Sequence, residues 1–340
     1  MATLKDVSRL AKVSIASVSK VINGDYSGVS EETKERILSS AQQLHYRPNR
    51  LARSLVKKQS KIVGLLIPDV SNPYYADLAK GAEEETERNN YNLILCNTQD
   101  RAEKERKYLN MLLEYNVDGL ILTGLTDPYE ESTELLHQYT VPYVVIDRTD
   151  PHAPAAFYSN GQRGTYLSTE YLIRLGHRKI AFVGGDEKAG PLGLDSPRLH
   201  GYESALRAYG IPQDSHLIRE GSYTIESGYR CARGLMESGG AMTAFVCTND
   251  LIAFGVIKAV REMGLQVPRD ISVIGYDDIA LCSYFEPRLT TIRQDSRELG
   301  KNVCRMLLEL AREERSGTVV RSVEPELIVR DSTAPPSGES

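Results

Sequence analysis

Apolar positions near the start of the chain recur with the spacing of short helices. Residues 4, 7, 10 and 11 are apolar, as are residues 18, 21 and 22, and a turn over residues 12–14 separates the two runs. Helices joined by so short a turn cross steeply, which is typical of a motif that places its second helix in the DNA major groove. Ser30 is a good N-cap for a third helix, with a predicted core face of Ile37, Leu38, Ala41 and Leu44. The pattern predicts an all-α DNA-binding head.

Beyond residue 60 the pattern changes to apolar, β-rich runs that alternate with helical stretches. The runs are Ile62–Ile67, Leu93–Cys96, Gly119–Leu122, Tyr143–Ile146, Ile180–Val183, Ala244–Cys247 and Val273–Ile274. Continuous apolar strands between helices are typical of parallel sheets that helices cover on both faces. The pattern therefore predicts an α/β body made of two parallel-sheet lobes.

Charge separates the same two regions. The chain has 340 residues, too many for one small core, so two or three domains are expected. Residues 1–60 contain 11 Lys and Arg but 5 Asp and Glu, whereas the remaining residues contain 30 and 41. A basic head on an acidic body favours a polyanionic partner for the head alone.

Several kinds of protein are disfavoured by what the sequence lacks. No apolar run approaches about 18–20 residues, and residues 1–5 lead into a helix without a signal-peptide core. The five cysteines are scattered and form no Cys-x-x-Cys pair, which indicates reduced, mostly buried thiols. We therefore expect a cytoplasmic protein with no membrane contact, no metal site and no cofactor.

Polar and aromatic residues follow the predicted strands. Examples are Asn72 and Tyr74 after the first strand, Asp147 after the fourth, Asn249 after the sixth and Asp277 after the seventh. Ligands of parallel sheets bind beyond the carboxyl ends of the strands. Each Asp or Asn alone could simply cap a helix. Together they favour a ligand cleft in which carboxylates, amides and guanidinium groups pair with hydroxyls and aromatic faces pack on a sugar ring.

Several motifs in the first sixty residues carry a family resemblance. They are Thr3-Leu4-Lys5-Asp6-Val7, Val13-Ser14, Val18-Ser19-Lys20-Val21-Ile22-Asn23, Tyr46-Arg47-Pro48-Asn49 and Ala52-Arg53-Ser54-Leu55. With these motifs the chain resembles the head of the lactose-repressor (LacI/GalR) family of bacterial transcription regulators. The spacing across sixty residues is far more specific than a lone helix-turn-helix pattern. The resemblance implies a hinge that becomes a helix on operator DNA.

The resemblance also implies DNA contacts. Ile15 and Ala16 begin the recognition helix, have no hydrogen-bonding side chain, and are expected to contact thymine methyl groups unless they pack in the head core. Lys20 could reach a base edge or a phosphate. Leu55 corresponds to the family's minor-groove wedge, although it could instead be a linker residue packing on the body. The other expected DNA-contacting residues are Ser14, Ser19, Asn23, Tyr46, Asn49, Ala52 and Arg53.

The body resembles the same family and its periplasmic-binding-protein-like fold. Its motifs are Ser71-Asn72-Pro73-Tyr74-Tyr75, Val117-Asp118-Gly119, Leu175-Gly176-His177-Arg178, Arg198-Leu199-His200-Gly201-Tyr202, Asp270-Ile271-Ser272-Val273-Ile274-Gly275-Tyr276-Asp277-Asp278 and Leu289-Thr290-Thr291-Ile292-Arg293-Gln294. By comparison with ribose-binding members, the effector-binding residues are expected to be Asn72, Tyr74, Tyr75, Asp147, Arg148, Arg198, Tyr223, Asn249, Asp277 and Gln294.

Two departures bear on the effector. All three aromatic positions are tyrosines where the ribose-binding members have phenylalanines, which argues for a ligand other than ribose itself. The purine-responsive member has an arginine six residues before its counterpart of Arg198, whereas this chain has Leu192, which argues against a purine corepressor. The resemblance implies a dimeric repressor that binds a palindromic operator and is released by a small sugar or sugar derivative.

Other functions stay open at this stage. A global regulator of the same family, controlled by a phosphoprotein corepressor, is one, and a sugar-binding receptor without a DNA role is another. An enzyme is disfavoured because no GxSxG, HExxH, P-loop or GxGxxG motif occurs in a suitable context, and His177 in its loop favours a structural role over catalysis.

The chain is expected to divide into a head, a hinge, a body and a tail. The head covers residues 1–47, the hinge 48–60, the effector-binding and dimerisation body 61–332, and a disordered tail 333–340. Within the body, one lobe is expected to comprise about residues 61–161 with 292–320, and the other 162–291 with 321–332.

Overall fold

The computed structural model forms two compact units, residues 1–60 and 61–340. It describes residues 2–46, 59–124, 134–136, 138–147, 150, 152–185, 197–239, 241–313 and 317–337. Within these ranges no helix is long and apolar enough to cross a membrane.

The head consists of three helices, α1 (Leu4–Ala11), α2 (Ile15–Ile22) and α3 (Glu31–Gln43). Each helix has a side-chain N-cap, from Thr3, Ser14 and Ser30 respectively, which satisfies a backbone N–H that would otherwise be unpaired. The buried core of the head is Val7, Ala11, Val18, Val21, Ile37 and Ala41. The predicted helix-turn-helix is confirmed. The prediction for Leu38 is wrong, because that side chain is 41% exposed beside the buried Ile37.

The first lobe of the body is built on a parallel sheet. Its strands are β1 (Ile62–Ile67), β2 (Asn92–Asn97), β3 (Gly119–Thr123), β4 (Tyr143–Ile146), β5 (Ala155–Tyr158) and β11 (Val319–Ser322). Their order is β11-β5-β4-β3-β1-β2. Leu65 shares a core with helices α4 (Pro73–Arg88) and α10 (Ser296–Ala311), whereas its neighbour Leu66 shares another with α5 (Ala102–Glu114). Helices therefore cover both faces of the sheet, as the continuous apolar strands predicted.

The second lobe has a four-stranded parallel sheet. Its strands are β6 (Ile180–Gly185), β7 (Ile218–Gly221), β8 (Ala244–Cys247) and β9 (Ser272–Ile274). Their order is β7-β6-β8-β9. The helices of this lobe are α6 (Gly161–Arg174), α7 (Pro197–Ala208), α8 (Ile225–Glu237) and α9 (Asp250–Glu262), with short 3-10 turns at Ser215–Leu217 and Ala280–Ser283. The predicted body of two parallel-sheet lobes is confirmed.

Two short strands run between the lobes, β10 (Thr291–Arg293) and β12 (Glu326–Ile328), and they pair antiparallel. Strand pairing carries the first lobe two residues beyond the boundary expected at about residue 320. Arg321 and Ser322 still pair with β5 in the first sheet, opposite Phe157 and Tyr158. Strand β12 then leads the chain back to the second lobe.

The tail is ordered as far as residue 337, so the prediction of disorder over 333–340 is wrong for residues 333–337. The Ala334 N–H donates to Ser272 Oγ (3.0 Å), and the Ser337 hydroxyl donates to the Arg269 carbonyl (2.7 Å). Backbone and small polar groups make these contacts, which a composition rich in Pro, Gly and Ser did not reveal. Residues 338–340 lie outside the described residues.

Candidate functional site

The recognition helix of the head presents an apolar start. Ile15 is 47% exposed and Ala16 is also exposed, whereas Val18 and Val21 of the same helix are buried in the head core. The alternative that Ile15 and Ala16 serve the core is therefore wrong. An exposed apolar pair at the start of a recognition helix has the chemistry that matches thymine methyl groups.

The polar candidates on the head are partly engaged within it. The Ser14 Oγ accepts the Ser17 N–H (3.0 Å) as the cap of α2, and the Asn23 Nδ2 donates to Ser19 Oγ (3.3 Å). The Lys20 ammonium donates to the Ser27 carbonyl and lies 3.8 Å from the Asp25 carboxylate. Lys20 would therefore have to exchange these partners for a DNA phosphate or base.

Of the remaining DNA-binding candidates, only Tyr46 lies within the described residues. Tyr46 is half-buried, and burial raises the pKa of its hydroxyl. Four candidates lie outside the described residues: Asn49, Ala52, Arg53 and Leu55.

The first lobe contributes one wall of a cleft at the carboxyl ends of its strands. After β1, the buried Asn72 caps α4 by accepting the Tyr74 N–H (3.1 Å). This cap places Tyr74 and Tyr75 in the first turn, with ring centroids 5.2 Å apart and an edge-to-face angle of 81°. After β4, Asp147 has a left-handed backbone (φ 50°), and its carboxylate accepts the Ser159 N–H (2.6 Å).

The second lobe contributes a guanidinium group and a buried carboxylate. Arg198 lies in the first turn of α7, and its guanidinium carbon lies 4.5 Å from the centre of the Tyr276 ring. Asp277 follows β9 with φ 113°, and its carboxylate accepts the Gln294 Nε2 hydrogen (3.1 Å). Because Gln294 follows β10, this bond joins the second-lobe loop to a segment that runs between the lobes.

Tyr223 and Asn249 form a separate pair after β7 and β8. The Asn249 Oδ1 caps α9 by accepting the Ile252 N–H (2.8 Å), while its Nδ2 donates to the Tyr223 carbonyl (3.3 Å). The Tyr223 ring packs so closely on Gly185 that a Cβ there would lie 2.2 Å from it. Glycine at position 185 therefore makes room for the aromatic side chain.

Charges interact across the boundary between the lobes. Burial raises the pKa of the Tyr74 hydroxyl well above its ordinary value, and the Asp147 and Asp277 carboxylates raise it further. Burial also raises the pKa of both carboxyl groups, and Arg198 opposes that rise at each. These groups from two lobes are therefore close enough to act on one another.

Some polar atoms in this cluster have unmet hydrogen-bonding capacity. Among the residues that the structure describes, the buried Tyr74 hydroxyl and the buried Gln294 Oε1 have no hydrogen-bond partner. Leaving a buried polar group unpaired costs about 1–3 kcal/mol. A ligand that supplies hydroxyl groups would remove that cost.

The structure brings most effector candidates together and adds one that the sequence reasoning missed. Electrostatic or hydrogen-bonding contacts link the first group, Asn72, Tyr74, Tyr75, Asp147, Arg198, Asp277 and Gln294. Tyr223 and Asn249 contact each other, and Arg148 lies outside the described residues. The added residue is Tyr276, which precedes Asp277 in the chain and was visible only as part of a strand-end motif.

His177 has a structural environment. Its Nδ1 pairs with Thr243 Oγ1 (2.8 Å), and its Nε2 lies 2.9 Å from the Ala334 carbonyl and 3.2 Å from Ser272 Oγ. Burial lowers its pKa, so the ring is held neutral. The structural interpretation of His177 agrees with these contacts. Elsewhere in the described ranges, no group of three or more His, Cys, Asp or Glu side chains could hold a metal ion.

Comparisons with known proteins match both units. The model for bacterial regulatory proteins of the lacI family matches residues 3–49, and the model for a periplasmic binding protein-like domain matches residues 169–333. The HTH-type transcriptional repressor PurR of Vibrio vulnificus (strain CMCP6) is 38% identical over 335 residues, which are 98% of each chain.

Two solved structures are also similar to this chain. The lac repressor dimer bound to operator and the anti-inducer ONPF is 30% identical, with a TM-score of 0.84, and the match covers 98% of this chain and 99% of that one. A LacI family transcriptional regulator from Enterococcus faecium with bound ribose is 32% identical, with a TM-score of 0.72, over 81% of this chain and 99% of that one.

Proposed function

This chain belongs to the LacI family of bacterial transcriptional regulators, and we propose that within it the chain is a repressor controlled by a small sugar or sugar derivative. In this proposal, the head binds a palindromic operator as part of a dimer. Effector bound in the cleft of the body then releases the DNA.

The observation that carries the proposal is the set of polar groups at the cleft. The Asp147 and Asp277 carboxylates accept hydrogen bonds from hydroxyls, the Arg198 guanidinium donates them, and Gln294 Oε1 is a buried acceptor without a partner in the described part of the chain. The Tyr74 and Tyr75 rings supply faces for the apolar side of a sugar ring. The ribose-bound relative has the same fold.

The exposed apolar residues of the second lobe support a dimer. Tyr284 is 84% exposed and Leu281 is 49% exposed, both at the 3-10 turn Ala280–Ser283, and Ile225 and Met263 are also exposed. A second copy of the chain that covered these side chains would remove their apolar surface from water, which is favourable. A two-fold dimer carries two heads and therefore favours a palindromic operator.

Control follows from the position of the cleft between the lobes. An effector that contacts Asp147 of the first lobe and Arg198 of the second would hold the two lobes together and so favour their closed arrangement. Closure would rotate the first lobes of a dimer, so that the two heads no longer match their half-sites. The effector shifts the equilibrium only by its preference for the closed form, typically about 1–3 kcal/mol.

A ligand panel tests the proposal directly. Calorimetry on the full chain would compare pentoses, hexoses, their phosphates and purines. The expected result is binding of one sugar class, and the same sugar should weaken binding to DNA that the protein has selected from a randomised palindromic pool. The DNA complex should also weaken steeply as salt is added, since phosphate contacts dominate its affinity.

A single half-site from the selected DNA is the matched control, and it should bind more weakly than the full palindrome. Binding of purines alone would contradict the sugar proposal. Sugar binding that leaves DNA affinity unchanged would contradict the proposed release.

A further inference from the structure

The loop over residues 275–279 connects the candidate effector site to the segments that run between the lobes. It carries Asp277, whose carboxylate faces the cleft cluster. The Gly275 N–H donates to the Thr290 carbonyl (2.9 Å), and the Asp277 N–H donates to the Ile292 carbonyl (2.7 Å). The backbone of the loop is therefore hydrogen-bonded along the approach to β10 and to β10 itself.

The neighbouring Asp278 holds this loop to both strands that run between the lobes. Its Oδ2 lies 2.8 Å from the Arg293 Nε of β10, and its Oδ1 lies 2.6 Å from the Arg330 Nη2, two residues beyond β12. The Asp278 side chain is only 7% exposed and that of Arg330 is 13% exposed. A carboxylate shielded from water interacts with its partners more strongly than one on the surface.

The two arginines have further contacts in the same region. The Arg330 Nη1 donates to the Leu289 carbonyl (2.8 Å), and its backbone N–H donates to Thr290 Oγ1 (2.9 Å). Arg293 also pairs with Glu326 of β12 at 3.3 Å. Asp278 is thus the point at which the loop, β10 and the exit of β12 meet.

A second carboxylate supports the loop from the other side. Asp250, at the start of α9, accepts the Ile279 N–H (2.9 Å) and the hydroxyl hydrogen of Thr291 (2.5 Å). It therefore ties the end of the loop and the start of β10 to the same helix. With Asp278 on one side and Asp250 on the other, the loop and β10 have little freedom to move separately.

We propose that Asp278 is a positioning residue that fixes the loop bearing Asp277 to both strands between the lobes, so that an effector contact at this loop is transmitted to the lobe rotation. The transmission part rests on the proposed effector-controlled function. The fixing part concerns the ligand-free protein and can be tested without any effector.

Hydrogen exchange on the full chain tests the fixing. Asp278 has a left-handed backbone (φ 56°), which asparagine also adopts readily, so Asp278→Asn removes the charge without straining the loop. The amides of residues 275–279 and 290–293 should exchange at least tenfold faster in this variant, and they should do so together. Unchanged exchange, or faster exchange in the loop alone, would overturn the proposal.

Asp331→Asn is the matched control. Asp331 pairs with Arg288 at 2.6 Å in the same lobe, but this pair is exposed and involves neither β10 nor Asp278. Exchange at residues 275–279 and 290–293 should stay within twofold of the wild type. An equal loosening by both substitutions would mean that any lost ion pair loosens the lobe, and the assignment to Asp278 would fail.

The probe for transmission is the sugar that binds most tightly in the panel of pentoses, hexoses and their phosphates, because a merely structural role would not separate binding from release. Asp278→Asn should bind this sugar within fivefold of the wild type. The sugar should, however, reduce the operator affinity of the variant at least fivefold less than that of the wild type, and full release in the variant would overturn the transmission. If the wild type binds no sugar of the panel, the proposed function and the transmission both fail, whereas the exchange result still decides whether Asp278 fixes the loop.

Discussion

Polar side chains are buried at both ends of the second-lobe sheet, but the two ends differ in whether these side chains have hydrogen-bond partners. At the amino end, both ring nitrogens of His177 have partners, including Thr243 Oγ1 at 2.8 Å and the Ala334 carbonyl at 2.9 Å. Beyond the carboxyl end, Gln294 follows β10 and donates to Asp277, but its Oε1 has no partner among the described residues, and burial raises the pKa of the Asp277 carboxyl group. The buried network at the amino end is therefore satisfied, whereas the one beyond the carboxyl end leaves an acceptor unpaired.

The difference separates stability from binding. Buried polar groups in folded proteins are hydrogen-bonded as a rule, because an unpaired one loses its water without compensation. The amino end follows that rule and holds the strands and the tail together. The carboxyl end departs from it, which is expected where a ligand supplies the missing partners. Substitutions at the amino end should therefore change the free energy of unfolding, and substitutions at the carboxyl end should change the affinity for the sugar.

The largest effect is expected at the amino end. His177→Ala removes hydrogen bonds to Thr243 and Ala334 and leaves a cavity, so the free energy of unfolding should fall by about 3 kcal/mol. Urea unfolding measures this loss. Affinity for the sugar identified by the panel should stay within twofold, because no effector candidate contacts His177 in the described structure.

His216→Ala is the control for that substitution, since His216 is an exposed residue of the same lobe. Its free energy of unfolding should change by no more than about 0.5 kcal/mol. A tenfold loss of sugar affinity in His177→Ala would break the comparison, because the two ends would then be energetically coupled.

The apolar pattern predicted most strands of the two sheets, including the edge strands β2 and β9, but it missed β5, β7 and β11. Strands such as β1 and β8 are buried on both faces, so their side chains are continuously apolar. Strand β7 (Ile218–Gly221) and strand β11 (Val319–Ser322) lie at sheet edges and contain charged residues. Backbone hydrogen bonds place these edge strands in their sheets, and such bonds carry no side-chain signal.

The candidate site was predictable where it depends on strand ends. Asn72, Asp147 and Asn249 follow strands β1, β4 and β8, so the parallel-sheet rule alone placed each at the carboxyl edge of its sheet. The stacking of Arg198 on Tyr276 was not predictable, because it joins side chains 78 positions apart in the numbering. The hydrogen bonds of His177 were not predictable for the same reason, because the Ala334 carbonyl is remote in sequence.

A pair of tyrosines offers a sharper comparison with a smaller effect. The Tyr202 hydroxyl donates to the Ile180 carbonyl at 2.8 Å, whereas the Tyr74 hydroxyl has no partner in the described ranges. Tyr202→Phe should therefore lower the free energy of unfolding by about 1 kcal/mol and leave sugar affinity unchanged. Tyr74→Phe should leave stability equal or higher and weaken sugar binding by about 3–10-fold.

Each variant is the control for the other, since both remove one buried hydroxyl from a tyrosine. Urea unfolding and calorimetry on both proteins make the measurement. If Tyr74→Phe loses as much stability as Tyr202→Phe, the Tyr74 hydroxyl has a structural partner, and the candidate effector site is less exceptional than we infer.

The smallest effect concerns pH, which should act on the two ends with opposite sign. Burial lowers the pKa of His177, so the stability that its neutral form provides is present above its ordinary pKa and is lost as the pH falls. At the carboxyl end, burial raises the pKa of Asp250 to about 7. Its contribution is greatest below the ordinary carboxyl pKa and is lost as the pH rises through about 7.

Unfolding measurements at pH 7.5 and pH 6.0 separate the two contributions. His177→Ala removes the contribution that weakens as the pH falls, so its stability should rise more than that of the wild type between pH 7.5 and pH 6.0. Asp250→Asn removes a contribution that strengthens as the pH falls, so its stability should rise less than that of the wild type over the same range. The wild type should therefore lie between the two variants. Shifts in the same direction from the wild type in both variants would show that the two ends do not titrate as separate units.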